Sequence, residues 1–134
     1  MQPSYRRVIP ALLGLALIVM TGCGSSPTAP GIQPQISNVP DNFSYQTSNV
    51  RGYSGAYTYS WTNSGTGASV NQATTVTAGS ITLTIKDANG TQVYARSLAD
   101  NGTFSTTTGV AGTWSLRLVY SGASGTVNFR VQKV

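Results

Sequence analysis

The sequence has no histidine and no glutamate, a single cysteine, and only three carboxylate side chains, Asp41, Asp87 and Asp100. Charged residues fill 8% of its 134 positions, against about 25% in an average soluble domain. Without histidine there is no Ser-His-Asp triad, no Cys-His pair and no imidazole metal site. Serine and threonine are plentiful, but a nucleophile needs an activating base, and Lys86 and Lys133 stand in no Ser-x-x-Lys context. A two-carboxylate glycosidase would have to use two of three aspartates, all at expected turns. The expectation is a protein that is not an enzyme and needs no cofactor. One cysteine also excludes an intramolecular disulfide. The scarcity of charge is not a sign of disorder, because 40% of the residues are hydrophobic and the formal charge is only +5. The length allows one small domain.

The chain is rich in Thr and Gly, which suit strands and tight turns better than helices. Its N-terminus is the exception. Arg6 and Arg7 precede an apolar run from Val8 to Met20 that ends in Thr21-Gly22-Cys23. The run is too short to span a bilayer, which takes about 20 residues, and it has the length of a secretory signal. Met20-Thr21-Gly22-Cys23 resembles the lipobox of bacterial lipoproteins, although that family usually has Leu where Met20 stands. The resemblance implies cleavage before Cys23, a diacylglycerol on its sulfur and an acyl chain on its new amine. Two or more chains anchor a protein stably, so the expected partner is a membrane. Gly24 after the Cys, where an Asp would favour inner-membrane retention, implies the outer membrane.

Residues 24–40 hold four of the six prolines and no charge. Such Pro/Ser/Gly stretches act as extended spacers. At about 3.1 Å per residue this one reaches roughly 50 Å. The expected organisation is a signal helix over 1–22, a lipidated Cys23 and flexible tether over 23–40, and a folded domain over 41–134. Beyond Cys23 six basic residues face three aspartates, and the positives are scattered. A nucleic-acid binder should cluster them, so no nucleic-acid partner is expected.

From Asp41 onward the period is two. Phe43 and Tyr45 alternate with polar residues, as do Tyr53, Tyr57, Tyr59 and Trp61. Ile81, Leu83 and Ile85 do so next, then Trp114 to Tyr120, and last Val127, Phe129 and Val131. After Asp87, a three-residue loop Ala88-Asn89-Gly90 pairs Asp87 with Thr91. Continued regularly, that pairing sets Ile85 against Val93 and keeps Arg96 on the outer face. Gly122-Ala123-Ser124-Gly125 reads as a hairpin loop joining the last two strands. The fold class is all-β, an antiparallel two-sheet β-sandwich, jelly-roll or Ig-like. Ile81 to Gly90, Gly109-Val110-Ala111-Gly112-Thr113-Trp114-Ser115-Leu116 and the final strand resemble pre-peptidase C-terminal and P-type accessory domains. That resemblance implies architecture more than function.

Two candidate sites remain. The Tyr53, Tyr57, Tyr59 and Trp61 face is either the inward core of one sheet or an aromatic platform for a glycan. Small sandwiches need bulky inward residues, so the core reading leads. Asp87, Asn89, Asp100 and Asn101 carry oxygens suited to Ca²⁺, but Asx residues are equally ordinary turn formers, and no metal is expected. The functional expectation is a lipid-anchored envelope protein with a noncatalytic structural or interaction module. Its alternative is a carbohydrate-binding module, so the partner is a glycan or an envelope protein.

Overall fold

The structure, a computed structural model, describes residues 32–134. The signal segment, Cys23 and the tether up to residue 31 lie outside the described residues. The period-two segments form seven antiparallel strands and, among the described residues, no helix. They are β1 (Gln35–Val39), β2 (Asn42–Asn63), β3 (Ala68–Gln72), β4 (Thr75–Lys86), β5 (Gln92–Ser97), β6 (Gly102–Ser105) and β7 (Gly112–Lys133).

The frame is a long ribbon. β2 and β7 each run 22 residues and pair from Asn42 opposite Gln132 to Asn63 opposite Gly112. Positive φ values at Asn49 (58°) and Gly52 (54°) in β2, and at Gly122 (53°) and Gly125 (140°) in β7, bend the ribbon at a corner. Three register shifts between Thr47 and Gly55 accompany that bend. Glycine is needed there twice over. A Cβ on Gly125 would run into the Thr75 carbonyl, and its φ is one that other residues rarely adopt.

Folding at the corner brings the two halves of the ribbon face to face. The first layer runs β1–β2–β7–β3–β6, using the start of β2 and the end of β7. The second uses the end of β2, the start of β7, β4 and β5. Phe43, Tyr45, Val70, Val127, Phe129 and Val131 face inward from the first layer and are buried. Trp61, Ile81, Leu83, Ile85, Trp114, Leu116, Leu118 and Tyr120 meet them from the second. The expected all-β antiparallel sandwich is the observed fold.

Three details differ from the sequence expectation. The Gly122–Gly125 segment is no hairpin, since β7 continues through it as a kinked strand and its two halves belong to different layers. The folded unit begins before Asp41: β1 pairs with β2 from Gln35–Gln46 to Val39–Asn42, and Ile32 is 2% exposed in the core. Residues 32–40 are therefore part of the domain and not tether. The β4–β5 loop has the expected form, with the Asp87 N–H donating to the Thr91 carbonyl (2.9 Å) and Gly90 at φ 80°. A bulge at Val93 then shifts the register, so Ile85 faces Tyr94 and Leu83 faces Arg96. Arg96 avoids the core because β5 is an edge strand. Its guanidinium lies 3.9 Å from the Phe104 ring centre and pairs with Asp100.

Candidate functional site

The aromatic row of β2 lies on the inner face of the second layer. Trp61 is 1% exposed, meets Trp114 edge to face at 5.9 Å, and donates its indole N–H to the Val39 carbonyl (3.2 Å). Tyr59 packs on Phe43 and Tyr45, with ring centres 5.7 and 5.9 Å apart. The Tyr53 and Tyr57 rings lie parallel at 6.2 Å, their hydroxyls bonded to each other, and both meet Tyr120 edge-on. Behind them the Tyr45 and Tyr120 hydroxyls share a bond of 2.8 Å. Burial pushes the Tyr57 and Tyr120 phenols up to about 12 and Tyr45 higher still. Trp61 thus belongs to the core and not to a ligand platform, and the three tyrosines are half-buried.

The oxygen-rich turn residues do not converge on a cation. The Asp87 carboxylate accepts the backbone N–H groups of Asn89 (3.0 Å), Thr91 (2.9 Å) and Val110 (2.9 Å). Burial raises its pKa, but these three donors outweigh burial and leave it below the usual carboxylate value. Asp100 pairs with Arg96, and the Asn101 side-chain oxygen accepts the Thr74 N–H. Asp41, at the second position of the Pro40-Asp41 turn with φ 66°, binds three groups at one corner. It accepts the Ser64 N–H (2.7 Å) and hydroxyl (2.8 Å) and pairs with Lys133 at 3.3 Å. All three carboxylates therefore have structural partners.

The surfaces facing away from the core are mostly amides and hydroxyls with a few basic side chains, Arg130 on the first layer and Arg117 with Lys86 on the second. On the first layer the cross-strand register sets Ser37, Ser44, Arg130, Asn71 and Thr103 in one row over five strands. Gln46 and Asn128 stand on one side of that row, Gln132 and Ser69 on the other. Arg130 separates two shallow grooves of about 280 and 410 Å³ lined by amides and hydroxyls. On the second layer Arg117 lies between Thr58 and Thr84. Sequence reasoning left these rows unassembled, because the period marks a residue as outward but not which strands lie beside it.

The layers end in four edges. β6 is four residues long. β5 carries the Val93 bulge and Arg96. β1 lies between Pro34 and Pro40. The fourth edge is the second half of β2, from Tyr53 to Asn63, where no proline or charge occurs.

No protein-family model matches the chain, and no curated protein matches it. Among solved structures, the chain is similar to one described as the structure of infectious bursal disease virus Gt strain, at 18% identity with a TM-score of 0.33. The match covers 98% of this chain and 38% of that one.

Proposed function

We propose that this chain is a noncatalytic, lipid-anchored protein of a bacterial envelope, exported and held at the outer membrane through Cys23. Its sandwich serves as a structural or interaction module. The observation that carries the reading is the Met20-Thr21-Gly22-Cys23 sequence closing the apolar run, with the chain's only cysteine at its end. The noncatalytic part is supported by the commitment of Asp41, Asp87 and Asp100 to turns and ion pairs. Cys23→Ser tests it. The variant should lose acyl labelling and accumulate as an uncleaved or soluble precursor. Undiminished acyl incorporation and detergent-phase partitioning in that variant overturn the anchor.

A second reading, glycan binding, finds support on the outer face of the first layer in place of the aromatic row. Amides and hydroxyls both donate and accept, which suits a hydroxyl-rich ligand, and Arg130 between the grooves favours one bearing carboxylates. Retention on immobilised polygalacturonate that falls in Arg130→Ala supports it. Equal retention of both proteins removes it.

A further inference from the structure

An antiparallel edge exposes a row of backbone N–H and C=O groups, and native proteins guard such edges with charge, proline, bulges or short length. Three edges of this sandwich carry such guards along their length, while the fourth, past its bulge at Tyr53–Gly55, has neither charge nor proline and is open at Ala56 and Thr58. Its polarity follows from neighbouring bonds. The Thr62 carbonyl accepts the Asp41 N–H (2.9 Å), and the Ser60 carbonyl accepts the Asn38 side chain (2.8 Å). The backbone of these two residues therefore points away from β7. By strand alternation so does that of Thr58 and Ala56, whose outward groups have no partner among the described residues. The half-buried Tyr53, Tyr57 and Tyr59 rings lie along the same stretch.

We propose that this edge docks the same edge of a second copy of the chain, antiparallel across a two-fold axis at Tyr57. That register sets Ala56 opposite Thr58 of the second copy and uses the outward groups of those two residues for all four central hydrogen bonds. Tyr57 then meets its own counterpart, and Tyr59 faces Gly55, over which the Tyr53 ring lies. The segment from Gly52 to Asn63 is uncharged, so the two copies do not repel. An isologous contact of this kind closes after two subunits, and it extends the four strands of the second layer into a continuous eight-stranded sheet. The proposal does not depend on the lipid anchor.

Co-expression of full-length Ala56→Cys and Thr58→Cys chains carrying different tags tests it. Paired residues in an antiparallel ladder sit about 5.5 Å apart between Cα atoms, inside the disulfide range of about 4.4–6.8 Å. Mild oxidation should link the two tags. Ala56→Cys with Thr82→Cys, on the interior strand β4, should not link. Thr58→Pro removes an N–H that bonds nothing among the described residues, and Thr58→Lys adds a guarding charge. Either should halve the mass found by sedimentation of the detergent-solubilised protein and leave its β-type circular dichroism unchanged. A monomeric wild-type protein, equal linking of the Thr82→Cys control, or linkage of Thr58→Cys to a different polypeptide overturns the assignment.

Discussion

Tyr45 and Tyr120 come from opposite layers, 75 positions apart in the chain, and their hydroxyls bond each other at 2.8 Å inside the core. No other hydrogen bond of ordinary geometry reaches either oxygen among the described residues, although the Tyr59 phenol lies close to that of Tyr45. Each therefore depends on the other to be satisfied away from water.

The two single substitutions should consequently cost more than the double one. Tyr120→Phe or Tyr45→Phe strands a buried hydroxyl, a loss of about 1–3 kcal/mol. Replacing both by Phe removes donor and acceptor together and should be close to neutral. Urea unfolding of the three variants decides this. A double variant as unstable as the sum of the singles contradicts the pairing.

The same burial governs alkaline behaviour. Burial lifts the Tyr45, Tyr59 and Tyr94 phenols and carries Tyr57 and Tyr120 up to about 12. The unfolded chain ionises its tyrosines near pH 10. The folded values lie higher, so this stabilisation is whole below about pH 10 and fades as pH climbs toward 12. Phenolate absorbance should rise in a steep step that coincides with loss of the β signal. A smooth titration near pH 10 with the fold intact disproves it.

At the acid end the sign reverses. The folded pKa of Asp87 is depressed by its three backbone donors, and that of Asp41 by Ser64 and then Lys133. Their contribution is present above about pH 4, the unfolded carboxyl value, and is lost as pH falls. Asp87→Ala should lower the urea midpoint at neutral pH and flatten its acid dependence. An unchanged pH profile in that variant argues against the clamp.

Trp114 should be the costliest single truncation. It is fully buried, meets Trp61 edge to face, and donates to the Val110 carbonyl at 2.7 Å. Trp114→Ala should cost about 3–5 kcal/mol, a large share of the 5–15 kcal/mol typical of a domain. Arg117→Ala, on the outer face of the same strand, should be nearly silent in thermal unfolding. Equal melting temperatures for the two variants reverse the inside–outside assignment of β7.

The N-terminal boundary can be read by truncation. A fragment starting at Ile32 keeps β1 and the buried Ile32 side chain, whereas one starting at Asp41 exposes the β2 edge from Asn42 to Gln46. The shorter fragment should melt lower or aggregate. Matching stability in both removes β1 from the folded unit.

Most inward positions were legible in the sequence, because a half-buried strand writes its faces as alternation. That is how Leu83, Trp114, Leu116 and Phe129 were identified. β1 escaped because Gln35–Val39 is polar, edge-bound and flanked by proline, so it has little hydrophobic pattern to display. The Gly122–Gly125 segment misled because glycine in a left-handed conformation serves a kink as readily as a turn, and only the partner strands tell the two apart. The Val93 bulge is invisible for a similar reason, since it is defined by what lies across the ladder. In the sequence Gln72 looks like any polar strand residue. It is 2% exposed, donates to the Ser97 carbonyl at 3.0 Å and accepts the Tyr94 hydroxyl at 2.7 Å. No local signal marks a buried glutamine whose partners are distant in sequence.

β7 pairs with β2, β3 and β4, and without it the remaining pairings are only β1–β2, β3–β6 and β4–β5. Three separate two-stranded pieces are marginal in water at best. The strand that joins them is the last of the seven to be synthesised, so a growing chain has no stable sheet to form until β7 emerges. Folding is then a late, all-or-none event with distant pairings and a slow rate. In the exported protein proposed above, that kinetic property would keep the chain threadable while it passes through a narrow secretion channel.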